Sequence, residues 1–270
     1  MIKTIKEIYE YRQMIRSLVH KDLRGRYKGS VLGFLWTFIN PLLQLVVYNL
    51  VFSAILRNGI DKFYLFLFVA LIPWLFFSAS VTGGSSSIIG QQDLVKKIYF
   101  PREVIPISYV TSAFVNMLLC FVVVFAVVLI GGVRPTVSAL LCLPVIMIVE
   151  YLLALGIALI SSALTVYFRD LEHILNIVMM AWMYLTPIVY DIDFCPEEYR
   201  PILDMNPMTA IVVAYRDILY YGRMPDLKTL LTATCVGVVG IVVGFLVFGK
   251  LKKGFAEELL HSCGLLFCII

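Results

Sequence analysis

The sequence predicts an all-α integral membrane protein with six transmembrane helices and both termini on the cytoplasmic side. Three observations carry this expectation. Of the 270 residues, 61% are hydrophobic and 15% charged, a balance found in membrane-embedded chains. Uncharged runs cover 29–56, 63–92, 104–133, 174–190 and 229–249, and a sixth, 135–168, is broken only by Glu150. A spanning helix needs about 20 such residues. Lys and Arg are also unevenly divided between the connecting segments. Fifteen fall within 1–28, 93–103, 169–173 and 250–258, and seven in the alternate segments, which puts the first set inside.

Residues 1–28 are expected to form a cytoplasmic amphipathic interface helix. Ile5, Ile8, Tyr9, Tyr11, Met14, Ile15, Leu18 and Val19 recur every three or four positions with charges opposite them. Such a helix suits the membrane surface or a partner subunit. One transmembrane domain, 29–250, follows. Its spans lie at about 31–56 and 63–90, then 104–132 and 136–166, then 174–190 and 228–249. Loops 57–62 and 133–135 are short. Between the second and third spans, 93–103 reads Asp-Leu-Val-Lys-Lys-Ile-Tyr-Phe-Pro-Arg-Glu, a charged island between two uncharged stretches. Residues 191–226 hold seven acidic residues and Pro196, Pro201, Pro207 and Pro225, with apolar pieces such as 208–215 too short to span. This suits a re-entrant hairpin in the outer leaflet, where protein satisfies its backbone, with a soluble extracellular loop as the alternative. Residues 251–270 form a cytoplasmic tail.

Several chemistries are excluded. Gly244-Phe-Leu-Val-Phe-Gly249-Lys250-Leu251 nearly matches a phosphate-binding loop, but Leu251 replaces the hydroxyl that holds magnesium, and a spanning helix precedes it instead of a strand. His20, His173 and His261 are isolated and form no metal motif. The six cysteines contain no Cys-x-x-Cys pair. A net charge of +4 reflects the inner basic segments and does not point to nucleic acid. The steps Gly240/Gly244 and Gly29/Gly33 suit close helix packing. Glu150 is the one charge deep in a span, so it faces protein or water, or stays protonated. It suits either an interhelical hydrogen bond or a contact to a transported polar group. Aromatic residues from Trp36 to Phe77 crowd the first two spans and suit interface belts, packing or a path for sugars.

Three cytoplasmic-side segments carry a resemblance: His20-Lys-Asp-Leu-Arg-Gly-Arg-Tyr-Lys-Gly-Ser-Val-Leu-Gly-Phe-Leu-Trp36, the island 93–103, and Tyr167-Phe-Arg-Asp-Leu-Glu172. Together with the outer hairpin they resemble the membrane subunit of type-2 ABC exporters, in the branch that exports lipid-linked O-antigen and teichoic-acid polysaccharides. The resemblance covers nearly the whole chain. It implies a permease of the bacterial cytoplasmic membrane rather than an enzyme. It also implies a homodimer paired with two ATPase subunits that hold ATP and Mg, with no cofactor or metal on this chain. Asp93, Lys96, Lys97, Tyr99, Pro101 and Arg102 would form the coupling segment, assisted by Arg169 and Asp170. The implied substrate is a glycan on a polyprenyl pyrophosphate. Arg24, Arg26 and Lys28 would attract the pyrophosphate, since guanidinium forks fit phosphate oxygens. Positive-inside anchoring is the rival reading of those three. The alternatives are a type-2 ABC exporter of another lipid-linked or amphipathic substrate and, outside that family, a membrane-embedded sugar transferase or an ion-coupled carrier. The last two would need clustered carboxylates or several buried ionisable groups, which the sequence does not supply.

Overall fold

The structure is a computed structural model that describes residues 2–26, 29–55, 59–192, 195–255 and 258. Lys28 and most of the 251–270 tail lie outside the described residues. The described residues are helical, without strands. In order they are α1 (Ile2–Glu10), α2 (Arg12–Gly25), α3 (Trp36–Asn49), α4 (Phe63–Gly90), α5 (Gln92–Lys97), α6 (Val104–Ile130), α7 (Val137–Tyr167), α8 (Leu171–Leu185), α9 (Arg200–Met205), α10 (Pro207–Leu219) and α11 (Leu227–Leu251). A 3-10 turn precedes α3 and a π-helical stretch, Leu50–Ile55, extends it.

Among the described residues five helices are long and apolar enough to cross a membrane, where six were expected. The exception is α8. Its 15 residues span about 22 Å at 1.5 Å each, short of a hydrocarbon core of roughly 30 Å. The cause is local. Pro187 disfavours the helical conformation for the residue before it, and Thr186 is extended at φ −101°, ψ 134°.

The core helix is α4, which is apolar all round and mostly buried. It packs against α3, α6, α7, α8 and α10. α7 and α11 approach backbone to backbone. A Cβ on Gly156 would overlap the backbone of Gly240, and one on Gly237 would come within 2.9 Å of the Val149 carbonyl oxygen. The Gly240/Gly244 step therefore packs helix on helix, as its spacing suggested. Gly29 and Gly33 do not. They have φ of +85° and +49°, with nothing within 4 Å of a Cβ, so they form a turn that glycine tolerates.

The expected single N-terminal helix is two, broken at Tyr11. α2 packs against α6, and both Asp22 and Arg26 reach Ser112, eight residues into that helix. The two poles are distinct. Island 93–103, α1, the 167–173 turn and the end of α11 gather at one. Tyr220 donates to the Asp61 carbonyl at 2.6 Å, Lys62 to Gly131 at 2.9 Å and the Thr136 amide to Gly222 at 3.2 Å at the other.

Forcing a side chain into the α7–α11 seam costs about 1–3 kcal/mol or more in a packed interior. Gly156→Val is therefore expected to lower the melting temperature of the detergent-solubilised protein sharply. Gly249→Ala, also in α11 but with open space at its Cβ, should leave it unchanged or raise it slightly. Equal melting temperatures for the two variants would contradict the seam.

Candidate functional site

The island at the first pole is a short helix followed by an extended strap. α5 stops when Ile98 turns extended (φ −129°, ψ 137°), and Pro101 then keeps Phe100 out of helical conformation. Phe100 is buried and plugs the strap into the core, while Tyr99 beside it is 95% exposed. Asp93, Lys96 and Lys97 are exposed on the short helix. The strap forms one wall of a cleft of about 490 Å³. Glu7, Glu10 and Tyr11 of α1 line a second wall, and Lys252 and Lys253 a third. The Tyr11 hydroxyl lies 3.5 Å from the Tyr99 carbonyl oxygen.

Arg102 does not face outward with Lys96 and Lys97. Its guanidinium donates to the Lys252 carbonyl at 2.8 Å and lies 5.6 Å from the centre of the Phe255 ring. Lys252 returns the tie through its ammonium, 2.7 Å from a carboxylate oxygen of Glu103, which is 1% exposed. Tyr167 donates to the Leu251 carbonyl at 2.7 Å. The start of α6, the end of α7 and the end of α11 are thus clamped beneath the cleft. Arg169 and Asp170 are exposed two and three residues beyond Tyr167, at the same pole but outside the cleft lining.

The three basic candidates near Gly25 separate. Arg24 is exposed and lines an open groove of about 1040 Å³ with His20, Lys21, Phe34 and Leu119. Arg26 is held by Asp22 at 3.0 Å, donates to Ser112 at 3.3 Å, and sits 5.6 Å from the centre of the Tyr109 ring. Its charge is already countered. Lys28 lies outside the described residues.

Glu150 is fully buried in α7 and accepts a 2.7 Å hydrogen bond from the Tyr215 hydroxyl of α10. It is therefore an interhelical hydrogen-bond partner. Arg216, next on α10, is 4% exposed. It donates to the Ile188 carbonyl at 2.7 Å and stacks 3.5 Å from the centre of the Phe66 ring. At the other end of α10, the Asn206 side chain accepts from the Met208 amide at 3.0 Å and from the Trp182 indole at 2.8 Å.

Sequence reasoning missed Glu103, Lys252 and Arg216 as structural residues, and Glu7 and Glu10 as cleft residues. For Lys252 the available signal was the cluster Lys250, Lys252 and Lys253, which reads equally as membrane anchoring. Removing Lys252 leaves Glu103 nearly buried without a counter-charge, a loss of about 1–3 kcal/mol. Lys252→Ala should therefore lower the melting temperature. Adding Glu103→Gln should recover part of the loss, read by thermal unfolding of both variants; no recovery would mean that the pair does not carry the clamp.

Residues 13–220 match the family model described as ABC-2 type transporter. An O-antigen export system permease protein, RfbA of Myxococcus xanthus, is 36% identical over 261 residues, covering 96% of this chain and all of that relative. A protein of the same name from Klebsiella pneumoniae is 36% identical over 242 residues, 90% of this chain and 93% of the relative. The polysialic acid transport protein KpsM of Escherichia coli is 21% identical over 87% of this chain and 92% of its own length. With the family match spanning most of the helical bundle and these relatives aligned nearly end to end, the chain belongs to the ABC-2 type transporter family, as a multi-pass membrane permease rather than an enzyme.

Proposed function

We propose that this chain is the channel-forming permease of an ATP-driven exporter that moves a polyprenyl-pyrophosphate-linked polysaccharide of the O-antigen type out of the cytoplasm. The observation that carries the reading is the 36% identity to O-antigen export permeases over nearly the full length of both chains. Two copies would enclose the path, and two separate ATPase subunits would hold ATP and Mg. The lack of a complete phosphate-binding loop in this sequence agrees with that division.

The cleft at the first pole is the docking place in this reading. The exposed groups of Asp93, Lys96, Lys97 and Tyr99 meet the ATPase, with Arg169 and Asp170 as a lesser contact. Pro101 and Arg102 act differently: they shape the strap and tie it to α11, so a push on the island reaches α6, α7 and α11 together. ATP-driven closure of the ATPase pair then biases a two-state bundle.

The groove beside Arg24 supports pyrophosphate capture, because three basic side chains face a partly apolar wall of Leu23, Phe34 and Leu119. Arg26 keeps α2 against α6. The α9–α10 turn supports a hairpin that dips into the outer leaflet. Asn206 at that turn bonds Trp182, whose ring packs 5.3 Å from that of Phe77. Phe77 lies 14 residues into α4, about 21 Å below its start.

Lys96→Glu with Lys97→Glu should cut ATP-dependent export in reconstituted vesicles by about tenfold or more, a change of about 1.4 kcal/mol or more, while the chain still inserts and melts normally. Arg24→Ala should weaken export by a similar factor with ATPase assembly intact, whereas Arg26→Ala should mainly lower the melting temperature. Unchanged export in the Lys96/Lys97 variant would remove the docking assignment.

A further inference from the structure

α2 turns a row of cations away from the bundle. Arg12, Arg16, His20 and Arg24 recur every fourth residue and so stack along one helix face, with Lys21 beside them, and all are exposed. Met14, Ile15 and Leu18, on the opposite face, pack against the core. The acid of this helix, Asp22, is spent on Arg26 and Ser112. Arg12 leans on Tyr9, 4.9 Å from the centre of its ring and 3.4 Å from its carbonyl oxygen, contacts that leave its charge without a counter-ion. Among the described residues none of Arg12, Arg16, Lys21 and Arg24 forms an ion pair. Like charges at this spacing destabilise a helix, so the row calls for an anion from outside the chain.

Two features choose the anion. The row rises about 18 Å from Arg12 to Arg24, at 1.5 Å per residue. That is longer than a single phosphate or diphosphate group and suits several headgroups side by side. Its far end also lies beside the membrane interior. Asp22 and Arg26 reach Ser112, about 12 Å along the spanning helix α6. The turn that follows α2 leaves Val31 fully exposed, and Leu32 and Leu35 at 41% and 55%. These side chains gain by entering hydrocarbon, whereas a protein docked from the cytoplasm would leave them in water. Cations next to exposed apolar side chains are the two parts of a surface that binds anionic lipid.

We propose that the exposed face of α2 binds anionic phospholipid headgroups of the inner leaflet. Arg12 and Arg16 hold the phosphates, and Val31, Leu32 and Leu35 enter the acyl region beside them. The site is separate from the groove at Arg24, which neither Arg12 nor Arg16 lines. Export then depends on the charge of the leaflet as well as on the substrate. The inference rests on the export reading above only in placing this pole in the cytoplasm.

The test compares the full chain with its Arg12→Gln, Arg16→Gln double variant in neutral detergent. Phosphatidylglycerol should raise the melting temperature of the parent by several degrees over phosphatidylcholine, and high salt should shrink that rise. The double variant should lose most of the rise, and Arg12→Lys with Arg16→Lys should keep it, because either cation serves a headgroup. An equal rise in parent and Gln variant overturns the site. So does a Gln variant that keeps the rise but no longer co-purifies with the ATPase, which would give the row a protein partner. Inorganic pyrophosphate should act on parent and Gln variant alike; loss of both responses together would make the row one shared anion groove and overturn the lipid assignment. In vesicles with the ATPase, the parent should export several-fold faster with phosphatidylglycerol than with phosphatidylcholine alone. The Gln variant should show the parent's phosphatidylcholine rate in both. Export without a phosphatidylglycerol-dependent rise in melting temperature overturns the lipid row but not the exporter. A rise lost only in the Gln variant, without ATP-driven export by the parent, supports the lipid row and overturns the exporter.

Discussion

The approach of α7 to α11 through glycine backbones is the constraint on which the rest of the structure depends. Association between helices in lipid cannot draw on hydrophobic burial, because the tails are as apolar as the side chains. Close van der Waals contact must supply it, and Gly156, Gly237, Gly240 and Gly244 let the two backbones come that near. Once the seam is set, the far ends of both helices are set too. Leu251 then lies within reach of the Tyr167 hydroxyl, and Lys252 within reach of Glu103. The clamp below the cleft is thus a consequence of small residues far from it.

Several polar groups in the bundle hold segments that apolar packing alone would leave loose. Glu150 and Tyr215 fix α10 to α7. Arg216 pins the 188–190 strap and stacks on Phe66. Asn206 joins the end of α8 to the start of α10, accepting from Trp182 and donating to Leu185 and Thr186. Asp22 and Arg26 hold α2 on Ser112.

The helices differ in how far they are enclosed. α4, α6, α7 and α10 carry most of the buried residues, and the clamp joins α6, α7 and α11 at one pole. α8 has one buried residue, Met179, and α11 is lightly buried along its length.

The sequence by itself determined the membrane class, the helical content, the division of basic residues between two poles and the family. Composition and uninterrupted apolar length encode those properties directly, and hydrocarbon admits few backbones other than helices. The island 93–103 was legible for the same reason, since charge inside so apolar a chain has to lie at a membrane face. Only the tertiary structure decided which charges face outward. Lys97 and Arg102 read alike as letters, yet one is exposed and the other is spent on the Lys252 carbonyl. Arg24 and Arg26 part in the same way. It also showed that the Thr186–Pro187 break shortens α8, and that Gly240/Gly244 packs while Gly29/Gly33 turns. In each case the outcome rests on a partner distant in sequence or on the local backbone, and neither composition nor spacing contains it.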